Sequence, residues 1–167
     1  MIKIKKSQNA DSRTAIGHVT KEELLKSSKQ HINDVREAMI FFREMINDAG
    51  YKHDYTKIDE AGINDFYDSF SRGLKKEYSP DGEIPYNDEF KAEKWFQRHI
   101  TEERHHVKDN CPDDVNLIDL LERVADIVTA GLARSGLIYD VALDAEILAK
   151  AYRNTIELLK SVIEVEE

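Results

Sequence analysis

Apolar positions recur at helical spacing along most of the chain. The first long run begins after Thr20, which forms a capping-box pattern with Glu23, and it ends at Ala49, where Gly50 supplies a stop signal. We predict a helix of about 28 residues there from these caps. One stripe of this helix, at spacings of three or four, consists of Leu24, Ser28, His31, Val35, Ala38, Phe42 and Met45. Residues at this spacing share one face, so His31 is expected to point toward the core.

Four shorter helices are predicted downstream of a charged junction at residues 51–62. The first has Ile63, Phe66 and Phe70 on one side, and the second runs from a cap at residue 87 or 88 to beyond His99. The third begins at a cap at residue 113 or 114 and ends near Gly136, and the last covers about 144–162. Residues 77–87, with their two prolines, are predicted to form a loop.

The N-terminal residues 1–19 have no helical period. Ile2 and Ile4 alternate with lysines, which is compatible with a short strand or a loose tail, and no convincing strand alternation follows. We therefore predict an all-α, single-domain bundle of about five helices, with a tail or short strand at 1–19 and a helical domain at 20–167.

Composition and charge limit the classes of partner. The chain has 167 residues, 41% of them hydrophobic, and a net charge of -9. Such an acidic protein is a poor candidate for binding nucleic acid or an anionic membrane surface, because both need basic patches. A small phosphorylated substrate remains compatible, since a metal ion can supply positive charge locally. The single cysteine, Cys111, and the lack of a secretory signal or a membrane-spanning apolar run predict a cytoplasmic protein.

The candidate chemistry lies in histidines and carboxylates. Besides His18 and His31 the chain has His53, next to Asp54, and a cluster of three more, His99, His105 and His106. Imidazole nitrogen together with carboxylate oxygen suits zinc, manganese, iron or nickel better than calcium. His99 and His106 would lie about 10.5 Å apart along an unbroken helix, so sharing one site requires a break, which we predict near residues 101–104.

Structural explanations compete at each position. A lone histidine on an apolar face, such as His31, is more often a hydrogen-bonded core residue, and His105-His106 could be a solvated helix end. Asp126 lies opposite the main apolar stripe of its helix, so its periodicity alone predicts exposure to solvent. Asp119 and Glu122 could equally be the acidic residue of the site. For His18, Arg98 and Arg104 a surface position is the simpler explanation.

The order of these motifs resembles the HD-domain superfamily of metal-dependent phosphohydrolases, and more narrowly an uncharacterised HD-like family of phage and bacterial proteins. The similar segments are the helix with His31, His53-Asp54-Tyr55-Thr56-Lys57, the Trp95-x-x-x-His99 element with the His105-His106 pair after it, and Ala125-Asp126. Together they cover roughly residues 24 to 135.

The resemblance implies a site and an activity. It implies His31, His53, Asp54 and Asp126 as primary metal ligands, with His99 and either His105 or His106 for a second ion. The cofactor would be one or two divalent ions (Mn, Fe, Zn, Ni or Mg), and the substrate a nucleotide or other small phosphate ester. Asp54 would orient water, Lys57 would bind phosphate, and Glu60 is a stand-in for a proton donor. If the chain is encoded by a phage, the expected location is the host cytoplasm.

Two other functions stay open at the level of sequence. One is a non-catalytic metal-binding accessory protein that acts through protein contacts. The other is a plain helical bundle without metal, which self-associates as a homo-oligomer through exposed apolar surface.

Overall fold

The computed structural model describes residues 1–6, 17–71, 88–138 and 142–166. Within these ranges it contains seven helices and two short strands, so the predicted all-α class is confirmed. In chain order the elements are β1 (Ile2–Lys5), α1 (Lys21–Lys52), α2 (Tyr55–Ile58), α3 (Glu60–Ser71), α4 (Asp88–Ala92), α5 (Lys94–Glu102), α6 (Leu117–Ser135), α7 (Ala145–Ser161) and β2 (Ile163–Glu166). The loop predicted at residues 77–87 lies outside the described residues. None of the described helices combines the length and apolar character that a membrane span requires.

Helix α1 begins as predicted and ends later. Thr20 and Glu23 form the capping box, with Glu23 accepting from the Thr20 amide and hydroxyl and the Glu23 amide donating back to Thr20 Oγ1. Gly50 does not stop the helix, because it keeps helical backbone, and the helix continues to Lys52. The chain turns instead at Asp54, the one non-glycine residue in the described ranges with positive φ, at 58°. Aspartate tolerates this left-handed conformation better than most residues.

The expectation that His31 faces the core was wrong. His31 is exposed, and so are Leu24 and Val35 of the same stripe, while Ser27 is the one buried residue in the helix. The helical period indicated which residues share a face, but it contained no information about whether another element packs against that face.

The strand β1 pairs in parallel with β2, which the sequence analysis did not predict. Ile2 lies opposite Ile163 and Lys5 opposite Glu166. The alternation in β2 covers four residues at the C-terminal end of the chain. So short a pattern gives no reliable period, and its pairing partner is distant in sequence.

The chain divides into two compact units, residues 1–45 with 155–167 and residues 46–154. In the second unit, Phe90 of α4 packs against Trp95 and Phe96 of α5 and forms an aromatic cluster with them. A second cluster joins Val107 and Val115 to Leu120 and Ala151 of the flanking helices. The chain between the two clusters contains three histidines, His99, His105 and His106.

Helix α5 ends at an extended residue, whereas α6 begins at a side-chain cap and ends at a glycine. Helix α5 ends at Glu102 and Glu103 has extended backbone, so the break predicted near residues 101–104 is confirmed. Helix α6 is capped by Asn116, and the predicted caps at residues 113 and 114 were wrong. Asn116 accepts from the Ile118 amide, and Asp119 accepts from the Asn116 amide, which completes a capping box. Gly136, in the left-handed region, ends α6 as predicted.

Candidate metal centre

Four histidines and three carboxylates converge within the second unit. Their sources are the end of α1, the segment from α5 into the following turn, and one face of α6. The residues are His53, Asp54, His99, His105, His106, Glu122 and Asp126. Three overlapping groups place a possible ligand atom of each member within 4.8 Å of the others: His53, Asp54 and His105; His99, His105 and His106; and Glu103, His105 and Glu122.

The Asp54 carboxylate lies at the middle of the cluster. Its Oδ1 is 3.4 Å from His99 Nε2 and 3.8 Å from His105 Nε2, while its Oδ2 is 3.7 Å from His53 Nε2. On a regular helix the neighbours His53 and Asp54 would diverge. The left-handed backbone of Asp54 turns the chain, so both side chains point to the same place.

Glu122 orients two of the rings. Its Oε1 lies 2.9 Å from His53 Nδ1 and 3.0 Å from His105 Nδ1. A carboxylate can only accept, so the His53 Nδ1–H donates to it, and His53 Nε2 is the nitrogen that faces Asp54 and Asp126. His105 is 1% exposed; its Nδ1 approaches Glu122 without a well-aligned hydrogen bond, and its Nε2 has no hydrogen-bond partner among the residues that the structure describes. A buried imidazole nitrogen without a partner, aimed at a carboxylate, is what a metal ligand needs.

A buried chain of hydrogen bonds orients His99. The Thr56 hydroxyl donates to Glu103 Oε1 over 2.7 Å, and the Thr56 amide donates to the same oxygen over 2.9 Å. With its proton committed there, Thr56 Oγ1 accepts from His99 Nδ1–H at 2.8 Å. The lone pair of His99 is therefore on Nε2, on the side of Asp54. This is the arrangement in which outer groups fix the tautomer of a metal-binding histidine.

His106 completes the ring of nitrogen atoms. Its Nδ1 lies 3.2 Å from Asp109 Oδ2, which can only accept, so Nδ1 is the donor and Nε2 is the nitrogen directed at the cluster. That Nε2 lies 2.8 Å from His99 Nε2. The sequence did not distinguish His105 from His106 as a ligand, and the structure brings both into the cluster.

The electrostatics of the cluster favour a bound cation. Burial, followed by the charges of Lys57 and His106, lowers the pKa of His99 to about 3, so this ring is neutral at pH 7. Burial would raise the pKa of Asp126, but the interactions with His53, His105 and Lys57 together outweigh it and the pKa falls to about 2. The same balance, with His105 and His53, lowers the pKa of Glu122 to about 2. Neutral imidazole and ionised carboxylate are the ligand forms that metals bind.

His53 and Lys57 are the cationic groups that contact this negative charge. The carboxylates of Asp126 and then Glu122 raise the pKa of His53 to about 10. Lys57 Nζ lies 2.5 Å from Asp54 Oδ2 and holds the pKa of that carboxyl low, against the opposing effect of its burial. A metal ion that binds at His53 must therefore displace a proton.

Two predicted site residues are not part of the cluster. His31 belongs to the first unit, is exposed, and occurs in none of the metal groups among the described residues. Glu60, at the start of α3, has an exposed side chain and is likewise in none of them. Arg98 is engaged by Asp59 and Glu102, and Arg104 by Asp119 and Asp114.

The sequence predicted the part of Asp126 and of three further residues in this site only incompletely or not at all. Asp126 is half-buried with Oδ1 3.6 Å from His53 Nε2, so the solvent exposure suggested by its periodicity was wrong. The sequence left Glu122 open as an alternative, although its spacing of four from Asp126 puts both on one face of α6. Thr56 and Glu103, which orient His99, were missed because their contact joins segments that are distant in sequence.

The model of the family described as "Family of unknown function (DUF5662)" matches residues 20–165 of the chain. No curated protein and no solved structure matches it.

Proposed function

The chain belongs to the family of unknown function DUF5662, and we propose from its candidate metal centre that it is a metal-dependent phosphohydrolase. The substrate would be a nucleotide or another small phosphate ester, as the resemblance to the HD-domain superfamily implies. The observation that carries the proposal is the buried His105, whose Nε2 has no partner and lies 3.8 Å from Asp54 Oδ1.

The donor set fits a divalent transition ion. His53, Asp54 and His105 form one possible ligand set, with Asp126 next to them, and His99, His105 and His106 form another. A site this rich in imidazole favours Mn, Fe, Zn or Ni over Mg, which prefers oxygen ligands and water. A bound ion would lower the pKa of water and neutralise charge on a phosphoryl group.

The chain's own residues contribute orientation and charge. Glu122 holds His53 and His105 with their Nε2 atoms toward Asp54, and the buried Thr56 does the same for His99. In the proposed reaction the Lys57 ammonium neutralises a non-bridging phosphoryl oxygen. Its position beside Asp54 Oδ2 supports this role, because a phosphate at the cluster would be within its reach. Glu60 has no part in the proposal, since its side chain is exposed outside the cluster.

The test measures metal content and then turnover on the same purified protein. Purified protein is analysed for metal by elemental analysis, then loaded with Mn²⁺ or Zn²⁺ and incubated with a panel of nucleotides and simple phosphate esters. We expect stoichiometric metal and release of phosphate or an alcohol, both lost in His53→Ala. His18→Ala, which changes an exposed histidine of the first unit, serves as the matched control and should keep both. Protein without metal, or activity that survives His53→Ala, would contradict the proposal.

A non-catalytic accessory role through protein contacts is the second candidate. Three large apolar residues at seven-residue spacing on α1 are exposed, Leu25, Ile32 and Met39, at 53%, 58% and 61%. Such a row is typical of a helix face that binds a partner helix. Stoichiometric metal with no turnover on the whole panel would favour this candidate. For either function we propose a cytoplasmic protein, the host's if phage-encoded, because Cys111 is a free thiol.

A further inference from the structure

A pocket of about 280 Å³ opens beside the candidate metal centre. Its walls are the last turns of α1 and one face of α6, whose residues recur at spacings of three and four. The apolar or small wall residues are Ile46, Ala49, Gly50, Ile118, Leu121 and Ala125. His53, Glu122 and Asp126 line the same pocket, so it is continuous with the cluster of metal-binding side chains.

The pocket has no positive charge of its own beyond His53. Of the described residues that line it, none is a lysine or an arginine, and Thr129 is the one neutral polar side chain. Glu122 and Asp126 place two carboxyl groups in the wall of the pocket. A second or third phosphate placed in this pocket would therefore face two carboxylates, with no lysine or arginine among the described lining residues to offset them.

Small residues keep the pocket open. Gly50 lies inside α1 with helical backbone, although glycine is unfavourable in a helix interior. A Cβ at this position would have nothing within 4 Å, so no close packing requires the glycine. Ala49 beside it and Ala125 on the opposite wall are also small. The absence of larger side chains at these three positions leaves space that a leucine would fill.

We infer that this pocket binds the organic group of the substrate, and that this group is uncharged and mostly apolar and is attached to a single phosphate. The inference rests on the proposed function and narrows its substrate class. The volume is close to the lower end of the range for small-molecule sites, about 300–1,000 Å³, so the group is no larger than a ring system with a few substituents. The phosphate would lie at the cluster around Asp54, next to Lys57.

The experiment compares two non-hydrolysable probes on the metal-loaded protein. Phenylphosphonate and methylphosphonate have the same anionic group and differ in apolar size. We expect the wild type to bind phenylphosphonate about 10- to 100-fold more tightly, because the ring is removed from water in the pocket. Gly50→Leu should abolish this preference by filling the pocket, and Gly50→Ala should give an intermediate value. Ala125→Leu tests the opposite wall in the same way.

Asn47→Leu is the matched control, because it adds an equal bulk to the same helix at an exposed position outside the pocket. It should keep the wild-type preference. Equal binding of the two phosphonates by the wild type, or a preference that survives both Gly50→Leu and Ala125→Leu, would overturn the inference. Failure of the proposed function would be distinguishable from failure of this inference. A protein that prefers phenylphosphonate but hydrolyses no phosphate ester would have the pocket without the proposed reaction.

Discussion

The Nε2 atoms of His99 and His106 lie 2.8 Å apart, so a proton or a metal ion between them would be shared by both rings. Each ring uses its Nδ1–H elsewhere, His99 on Thr56 Oγ1 and His106 on Asp109 Oδ2. Two lone pairs at this distance repel each other. An added proton or a shared metal ion removes the repulsion, and the carboxylate of Asp54 on the same side favours a cation.

Replacing His106 by alanine is therefore expected to weaken metal binding. We expect the affinity for Zn²⁺ to fall by at least about 10-fold, since even residues that only orient a ligand contribute this much. Competition with a chromophoric chelator measures the affinity, and His18→Ala is the control for loss of an exposed histidine. If His106→Ala binds Zn²⁺ as tightly as the wild type, a proton and not a metal ion holds the pair together.

The resemblance and the described geometry differ in the histidine that they assign as a metal ligand, His31 or His105. The resemblance implies His31 as a primary ligand, whereas the structure leaves it exposed and puts the buried His105 in all three metal groups. We expect His105→Ala to lower metal affinity strongly and His31→Ala to leave it unchanged. The same chelator competition compares the two variants, with circular dichroism to confirm that both fold. The opposite ranking would restore His31 as a ligand and contradict the arrangement around His105.

Thr56→Val tests the orientation of His99. Valine keeps the shape of threonine but loses the hydroxyl that links His99 Nδ1 to the buried Glu103. Leaving these groups with fewer partners should lower the free energy of unfolding by about 1–3 kcal/mol. Metal affinity should fall by about 10- to 100-fold, because His99 loses its fixed tautomer. Urea unfolding and metal titration measure the two effects. Thr101→Val, at an exposed threonine whose hydroxyl donates to the Gln97 carbonyl of its own helix, should change neither.

The raised pKa of His53 predicts a pH dependence for the metal-free protein. Because the carboxylate of Asp126 is the largest cause, Asp126→Asn should move this pKa from about 10 back toward 6.5. A raised pKa means that protonated His53 stabilises the fold fully below pH 6.5 and that this contribution is lost as the pH rises through 10. The difference in unfolding free energy between wild type and variant should be large at pH 6 and small above pH 10, measured by urea unfolding with a chelator present. A difference that does not change with pH would contradict this assignment.

How far the sequence predicts this centre depends on whether the relevant geometry is local. His53 and Asp54 are adjacent, and the spacing of His99 and His106 requires a broken helix, which the structure has after Glu102. The position of Asp126 was harder to predict, because the apolar stripe of α6 indicates one buried face and Asp126 does not lie on it. The structure uses a second face, where Glu122 and Asp126 meet His53 from the end of α1. A helical period from one sequence does not reveal a second packing partner.

Contacts between distant segments were not predictable at all. The hydrogen bonds of Thr56 to Glu103 join α2 to the end of α5, and neither residue has a sequence pattern that distinguishes it from an ordinary surface position. The strand β2 depends in the same way on its pairing with β1. His31 shows the reverse case: its stripe is clear in the sequence, but the residue is exposed in the structure.

Two glycine-to-alanine changes should have opposite effects on stability. A Cβ on Gly62, in α3, would lie 1.7 Å from the carbonyl oxygen of Thr56, so Gly62→Ala must push α2 and α3 apart. It should lower the free energy of unfolding by about 3 kcal/mol and weaken metal binding, because Thr56 would be displaced. The Cβ that Gly50→Ala adds has no atom within 4 Å among the described residues. This change should raise the free energy of unfolding by roughly 0.5–1 kcal/mol, which is the difference in helix propensity. Urea unfolding of both variants measures the effect. Equal stability of the two would mean that the close approach of Gly62 to Thr56 does not fix α2 beside the candidate metal centre.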